Sequence, residues 1–510
     1  NSWKEKIPEF ILLRALRMRP SMFHFDFSKI LDQFTYHPES PLIFSSGVFL
    51  FFFIGFFAIY RALIPHERAR IIWATLFSVY FYYKSSGIFF LLLVASVLLD
   101  YNLAKWIEEA ETKRTKKILL VWSLVANLGM LAYFKYTNYF AEIISGLTGS
   151  AIGPFDIFLP VGISFFTFQS LSYTIDVYRG ELKALNNIWD YAFFVTFFPQ
   201  MVAGPIVRAV DFLPQIHRKL VVSREDFGRG VYLICVGLFK KAVISDYISV
   251  NFVERIFESP QVYSGLENLF GVYGYAMQIY CDFSGYTDMA IGIGLLLGYH
   301  FPPNFNSPYQ SLSVTEFWQR WHISLSTWLR DYLYIPLGGN RKGRFRTYFN
   351  LMATMVLGGF WHGAANRFII WGSLHGSALV VERWWKETFR LEPSAFRRML
   401  GGIWTFHFVC FCWIFFRAEN LDIVRSMLHQ IFFDFRPEIF PDFLAGYATV
   451  MFWMTLGYGL HMLPPTTERW GQRMVTSLPL VFKAALITLV VMLVMQIKSS
   501  EVQPFIYFQF

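Results

Sequence analysis

The sequence predicts an all-α polytopic membrane protein, a bundle of roughly 11–13 membrane-embedded helices around a central channel, counted from the ~20 residues one helix needs to cross a bilayer. Three observations carry that reading. Of 510 residues, 55% are hydrophobic, 20% aromatic and only 16% charged, against about 25% charged in a soluble domain. Apolar runs recur at 41–64, 87–103, 118–134, 232–248, 404–416, 447–463 and 478–497. The net charge of +9 is concentrated in the short polar stretches between them.

Residues 1–40 read as a peripheral extension. Within it, 7–18 mixes Leu and Ile with Arg14 and Arg17 and suits a membrane surface; 24–40 reads as a loop or short helix. Residues 41–510 read as one membrane domain. Its first third consists of plain spans. Its motif-rich core, about 155–376, stays apolar yet gathers Gly, Pro, Trp, His, Asn and Gln. Breaks at Leu159-Pro-Val-Gly162 and at 199–205 mark re-entrant or tilted pieces. Irregular backbone at membrane depth is tolerated only inside protein or beside a cavity.

Within that core, Ser313-Val-Thr-Glu316 fits a capping box and starts a helix. Trp318, Trp321, Leu325, Trp328 and Tyr332 then recur at three- and four-residue spacing, one apolar stripe of a single helix that Pro336 and Gly338-Gly339 stop. A second short apolar helix covers 348–361. The last third returns to plain spans, with a polar stretch at 382–398 and an amphipathic one at 421–433.

Lys113, Arg114, Lys116 and Lys117 form one basic cluster, and Arg341, Lys342, Arg344 and Arg346 another. The positive-inside bias places both on the cytoplasmic face. No soluble domain is left to present a nucleic-acid surface. Cys235, Cys281, Cys410 and Cys412 lie in apolar surroundings without a C-x-x-C pair, so they read as small buried hydrophobes rather than a metal site or disulfide framework. No cleavable signal peptide is recognisable.

Two histidines stand out. His322 lies in Arg320-Trp-His-Ile-Ser324, and His362 in Trp361-His-Gly363 with Gly358 and Gly359 before it. An ionisable group at membrane depth is costly, so one retained there is a functional candidate. Imidazole titrates near neutrality and can take and return a proton. His362, at the broken end of a helix, reads as a general base for an acceptor hydroxyl. His322 reads as a group that orients the acceptor or the other histidine, or packs the core. His375, His407 and His461 read as structural. Asp282 and Asp288, six residues apart, read as partners for neighbouring helices rather than a proton relay. Gly294 and Gly298 read as small-residue helix packing. Neither a G-x-S-x-G elbow nor a P-loop occurs, which leaves serine acyl-enzyme chemistry and nucleotide hydrolysis without support.

An ordered set of segments carries a family resemblance: Phe134-Lys-Tyr136, 159–168, Phe198-Pro-Gln-Met-Val-Ala-Gly-Pro-Ile-Val-Arg208, Asp282-Phe-Ser-Gly-Tyr-Thr-Asp288, Asn304-Phe-Asn-Ser-Pro-Tyr309, 316–339 and Trp361-His-Gly363. Together they resemble the membrane-bound O-acyltransferase family, in the branch of polysaccharide O-acetylation and teichoic-acid D-alanylation proteins. The resemblance implies that His362 is the essential histidine and His322 the second, both inside a channel lined by Trp321, Trp361, Asp282, Ser284, Arg330, Asp331 and Asn366. It implies an acetyl group moved from a cytoplasmic thioester, acetyl-CoA, to an extracytoplasmic acceptor for polysaccharide O-acetylation, with no bound cofactor or metal. It further implies a periplasmic SGNH-type partner, contact with membrane lipid and a place in the bacterial inner membrane. A D-alanyl, longer-acyl or protein acyltransferase is the alternative within the family. A transporter or a non-catalytic scaffold is the alternative outside it.

Overall fold

The computed structural model describes residues 32–38, 41–44, 46–201, 204–389 and 394–497, and these are mainly helical, with no strand among them. The surface segment expected at 7–18 lies outside the described residues. Each expected apolar run becomes a helix. They run Gly47–Ala62, Phe90–Glu109, Lys113–Thr148, Arg224–Leu238, Ala395–Arg417, Ala448–His461 and Leu480–Ile497. Among the described residues three stretches are long and apolar enough to cross a membrane by themselves: Glu67–Glu109, Lys113–Thr148 and Ala395–Arg417. A fourth, Pro437–Gly446 with Ala448–His461, is bent by 94°. The other helices are shorter or broken, and the packed bundle rather than their own length holds them.

The centre of the bundle is the 32-residue helix Gly265–Leu296. A capping box starts it: the Ser264 hydroxyl accepts from the Glu267 N–H, and the Glu267 carboxylate accepts from the Ser264 N–H. Against it lies Arg224–Leu238, continued by a wide π-turn at Phe239–Ser245. The two backbones touch. A Cβ on Gly230 would lie 2.9 Å from the Gly292 carbonyl oxygen, and one on Gly237 would lie 2.5 Å from that of Gly285. The small-residue contact expected of Gly294 and Gly298 is therefore made by Gly285 and Gly292 instead. Gly294 faces the Phe301 ring, and Gly298 ends the helix at φ +85°. Sequence spacing showed that small residues were present, not which face met a neighbour.

The same crossing carries two lysine–carboxylate groups. Lys240 pairs with Asp288 at 2.7 Å, and Lys241 pairs with Asp246 at 2.7 Å and with Asp282 at 2.5 Å. Six residues of helix rise about 9 Å, so two adjacent lysines reach both aspartates. The carboxylates thus bind a neighbouring helix, as their spacing led us to expect. All four cysteines are free and buried.

The single helix expected over 313–335 is not single. Ser313 caps Val314–Arg320, and its hydroxyl accepts from the Glu316 N–H. The Glu316 carboxylate takes the Leu312 N–H rather than that of Ser313, so the capping box is only half made. The chain then breaks at Trp321-His322, restarts as Ile323–Leu329 and widens into a π-turn at Arg330–Tyr334. The apolar stripe is real, but it belongs to two helices.

Candidate active site

His322 sits at the break. Its backbone is left-handed, φ 43° and ψ 54°, a conformation costing a non-glycine residue on the order of 1–3 kcal/mol unless neighbours over-determine it. Asn304 is that neighbour. Its backbone oxygen accepts the Ile323 N–H at 2.9 Å. Its side-chain oxygen accepts the Ser324 N–H at 3.1 Å and the Ser324 hydroxyl at 2.8 Å. The Ser324 hydroxyl in turn accepts the Ile206 N–H at 3.0 Å.

The same Asn304 oxygen lies 3.2 Å from His322 Nδ1. A backbone N–H can only donate, so the Ser324 contact fixes this atom as the amide oxygen, and Nδ1 must carry the proton. The proton-accepting nitrogen of neutral His322 is then Nε2.

His362 is the last residue of helix Arg344–His362. The glycines around it serve close packing rather than unusual backbone. A Cβ on Gly359 would lie 2.3 Å from the Phe368 carbonyl oxygen, and one on Gly372 would lie 2.4 Å from that of Met355. Helix Asn366–Phe389 therefore presses directly on the histidine helix. A Cβ on Gly363 would enter the Phe368 ring. The His362 ring stands among Trp361, Trp371 and Phe416, with centroids 5.0, 5.2 and 5.2 Å away.

Trp361 brings the two histidines together. Its ring lies 6.5 Å from that of His322 and 5.0 Å from that of His362. Phe168 stacks on it at 5.1 Å, and Trp328 stacks on Phe168 at 3.8 Å. Phe283 closes the His322 side with an edge contact at 4.7 Å. Both imidazoles are buried, with 0% and 4% of their surface exposed, so bulk water is kept from them. A cavity of about 640 Å³ adjoins this region. Trp318, Ile323 and Met355 form part of its wall, and Arg330, Arg383 and Lys386 lie at its charged edge.

The other expected channel residues are spread more widely. Trp321 is buried beside Trp413, at 5.0 Å. Ser284 is buried on the central helix, and Asp282 there is engaged with Lys241. Arg330, which is exposed, and Asp331 pair with each other at 2.6 Å, and Asp331 takes Arg208 at 2.7 Å. Asn366 is exposed and accepts the Tyr139 hydroxyl at 2.8 Å. His375 accepts from Trp318 Nε1, and His461 accepts the Tyr309 N–H; His407 lies exposed on its own helix. All three fit structural roles.

The model of the MBOAT, membrane-bound O-acyltransferase family, matches residues 77–421. The chain belongs to the membrane-bound O-acyltransferase family. It is 43% identical over 402 residues to the probable alginate O-acetylase AlgI of Pseudomonas aeruginosa, covering 77% of this chain and 75% of that one. It is 37% identical over 494 residues to the protein of the same name from Pseudomonas putida, covering 92% and 100%. It is 36% identical over 417 residues to the peptidoglycan O-acetyltransferase of Helicobacter pylori, covering 76% and 79%. As a member of this family the chain is a multi-pass membrane acyltransferase.

The segments that carried the resemblance are the ones that build the aromatic chamber. Residues 159–168 supply Phe165 and Phe168, 198–208 supply Ile206, and 304–309 supply Asn304. Sequence reasoning quoted Asn304 within a family segment but missed its role, because its partners lie eighteen to twenty residues on. It also quoted Lys135 within Phe134-Lys-Tyr136 without giving it a role, although a cation at the end of an apolar run is itself a signal.

Proposed function

We propose that this membrane-bound O-acyltransferase moves an acetyl group from a cytoplasmic thioester, acetyl-CoA, to a hydroxyl acceptor on the extracytoplasmic side, for O-acetylation of a cell-surface polysaccharide. The observation that carries this reading is the pair of buried imidazoles against one indole, each at the broken end of a helix. His362 takes the proton of the acceptor hydroxyl as its oxygen attacks the thioester carbonyl. The C–S bond then breaks, and the imidazolium returns its proton to the leaving thiolate. His322 orients the acceptor through Nε2. Excluding water strengthens these dipoles and suppresses thioester hydrolysis.

The acetyl and glycan specificity follows the names of the similar proteins. A periplasmic SGNH-type partner, an inner-membrane location and the absence of a bound cofactor or metal complete the proposal.

The test is ester-linked acetate on the cell-surface polymer, compared between wild type and His362→Ala at matched membrane levels. A positioned general base contributes about 10²–10⁴-fold, so the variant loses nearly all acetate. Unchanged acetate would sink the assignment of His362. Mild-base release of D-alanine or a longer acyl group from wild type would replace the acetyl assignment and leave the base in place.

A further inference from the structure

The last carbonyls of a helix have no partner within it and must find one elsewhere. Helix Arg344–His362 ends inside the protein, and its last three carbonyls are met by two consecutive side chains of another helix, Lys113–Thr148. The Tyr136 hydroxyl donates to the Phe360 oxygen at 2.8 Å. Lys135 Nζ donates to the Trp361 oxygen at 2.7 Å and to the His362 oxygen at 2.8 Å. Tyr136 also stacks on the Phe360 ring at 4.3 Å. Lys135 Nζ lies 5.9 Å from the Trp361 ring centroid, the indole that touches both imidazoles.

We infer that Lys135 is the positioning residue for His362, its ammonium clamping the end of the histidine helix so that the imidazole and Trp361 keep one geometry. A lysine on a membrane helix ordinarily extends its head to the aqueous interface. Here the head is instead committed to the two carbonyls nearest the base. A cation is favoured at a helix C-terminus because it offsets the negative end of the dipole. One ammonium can bind two adjacent carbonyls at once and bring a full positive charge to them, which neither the thioether of Met nor the shorter, neutral amide of Gln does. Lys135 acts through the backbone and touches neither donor nor acceptor.

The inference rests on the reading of His362 as the base. Losing the clamp frees the terminal turn, and a displacement near 1 Å at a reacting group costs about 10²-fold. The experiment measures initial rates of ester-linked acyl incorporation at the cell surface for the full-length protein, at membrane levels matched by immunoblot. Lys135→Met is expected to slow incorporation about 10- to 100-fold. Lys135→Arg, which keeps the cation and two donors, is expected to retain most of the rate. Thr137→Ala controls for damage to the helix, since among the described residues the Thr137 hydroxyl bonds within its own helix, to the Tyr133 carbonyl, and is expected to match wild type. If Lys135→Met does not accumulate, Lys135→Gln is read in its place.

A Met or Gln variant as fast as wild type, or an Arg variant no faster than the Met variant, overturns the positioning role. His362→Ala run in parallel separates the two claims. An active His362→Ala would remove the base assignment itself. An inactive one beside a fully active Lys135→Met would remove only this inference.

Discussion

Gly359→Ala isolates the packing that places His362. A Cβ there would lie 2.3 Å from the Phe368 carbonyl oxygen and 3.0 Å from Gly372 Cα. Ordinary contact begins at 3.4 Å, so the deficit against the oxygen is 3.4 − 2.3 = 1.1 Å. Both neighbours are backbone, so no side chain can rotate away, and the helices must separate by about that distance. Overpacking of this kind costs about 1–3 kcal/mol of stability. His362 lies three residues further along the same helix and moves with it. A shift near 1 Å at a reacting group is worth about 10²-fold in rate, or about 2.7 kcal/mol of barrier.

The assay pairs initial rates of ester-linked acyl incorporation, at matched membrane levels, with thermal unfolding of the detergent-purified protein. Gly358→Ala is the internal control. The Cβ at that position meets only the terminal Leu329 Cδ1, at 3.1 Å, and a methyl group can yield. We expect Gly359→Ala to lose both rate and Tm while Gly358→Ala stays close to wild type. Equal behaviour of the two, or a fully active Gly359→Ala, would refute the claim that this crossing positions the histidine.

Two further perturbations test other parts of the molecule. Lys241→Met leaves Asp246 and Asp282 without the cation they share. Removing one partner of a buried pair costs about 3–5 kcal/mol, so membrane level and Tm should fall, and Lys241→Met with Asp282→Asn should recover part of the loss. At the protein edge, His217 lies 2.7 Å from Glu67 and 2.9 Å from Asp190. The Glu67 hydrogen bond leads, with Asp190 adding to it, and together they raise its pKa above the ordinary value against the pull of desolvation. The protonated form is therefore the stabilising one. Its contribution is fully present below the unfolded value of about 6.5 and is lost as pH rises through the raised folded value. The Tm difference between wild type and His217→Gln should be largest under acid conditions and shrink across that window. A difference independent of pH would contradict it.

Hydropathy is a property of the local chain, so the membrane class, the apolar helices and the start of a helix at Ser313 could be read directly. The glycines around His362 could be read as a demand for close approach, and the family segments as a shared design. What could not be read is which distant group meets each of them. The break at His322 overrides an unbroken helical stripe because Asn304 supplies the turn's hydrogen bonds from eighteen residues earlier. Gly292 and Gly285 face a neighbour where Gly294 and Gly298 were expected, since periodicity marks a face but not its partner.

The sequence by itself determined that the protein is a helical membrane protein with His322 and His362 as candidate groups, and its motifs carried the resemblance to the acyltransferase family, because composition, spacing and motif are written along the chain. Only the tertiary structure decided that both rings meet at Trp361, that Lys135 and Tyr136 hold the end of the histidine helix, and that Asp331 binds Arg208 while Asn366 binds Tyr139. Those contacts join residues far apart in the chain. They are set by hydrogen bonds and backbone contacts that exist only once the helices have packed.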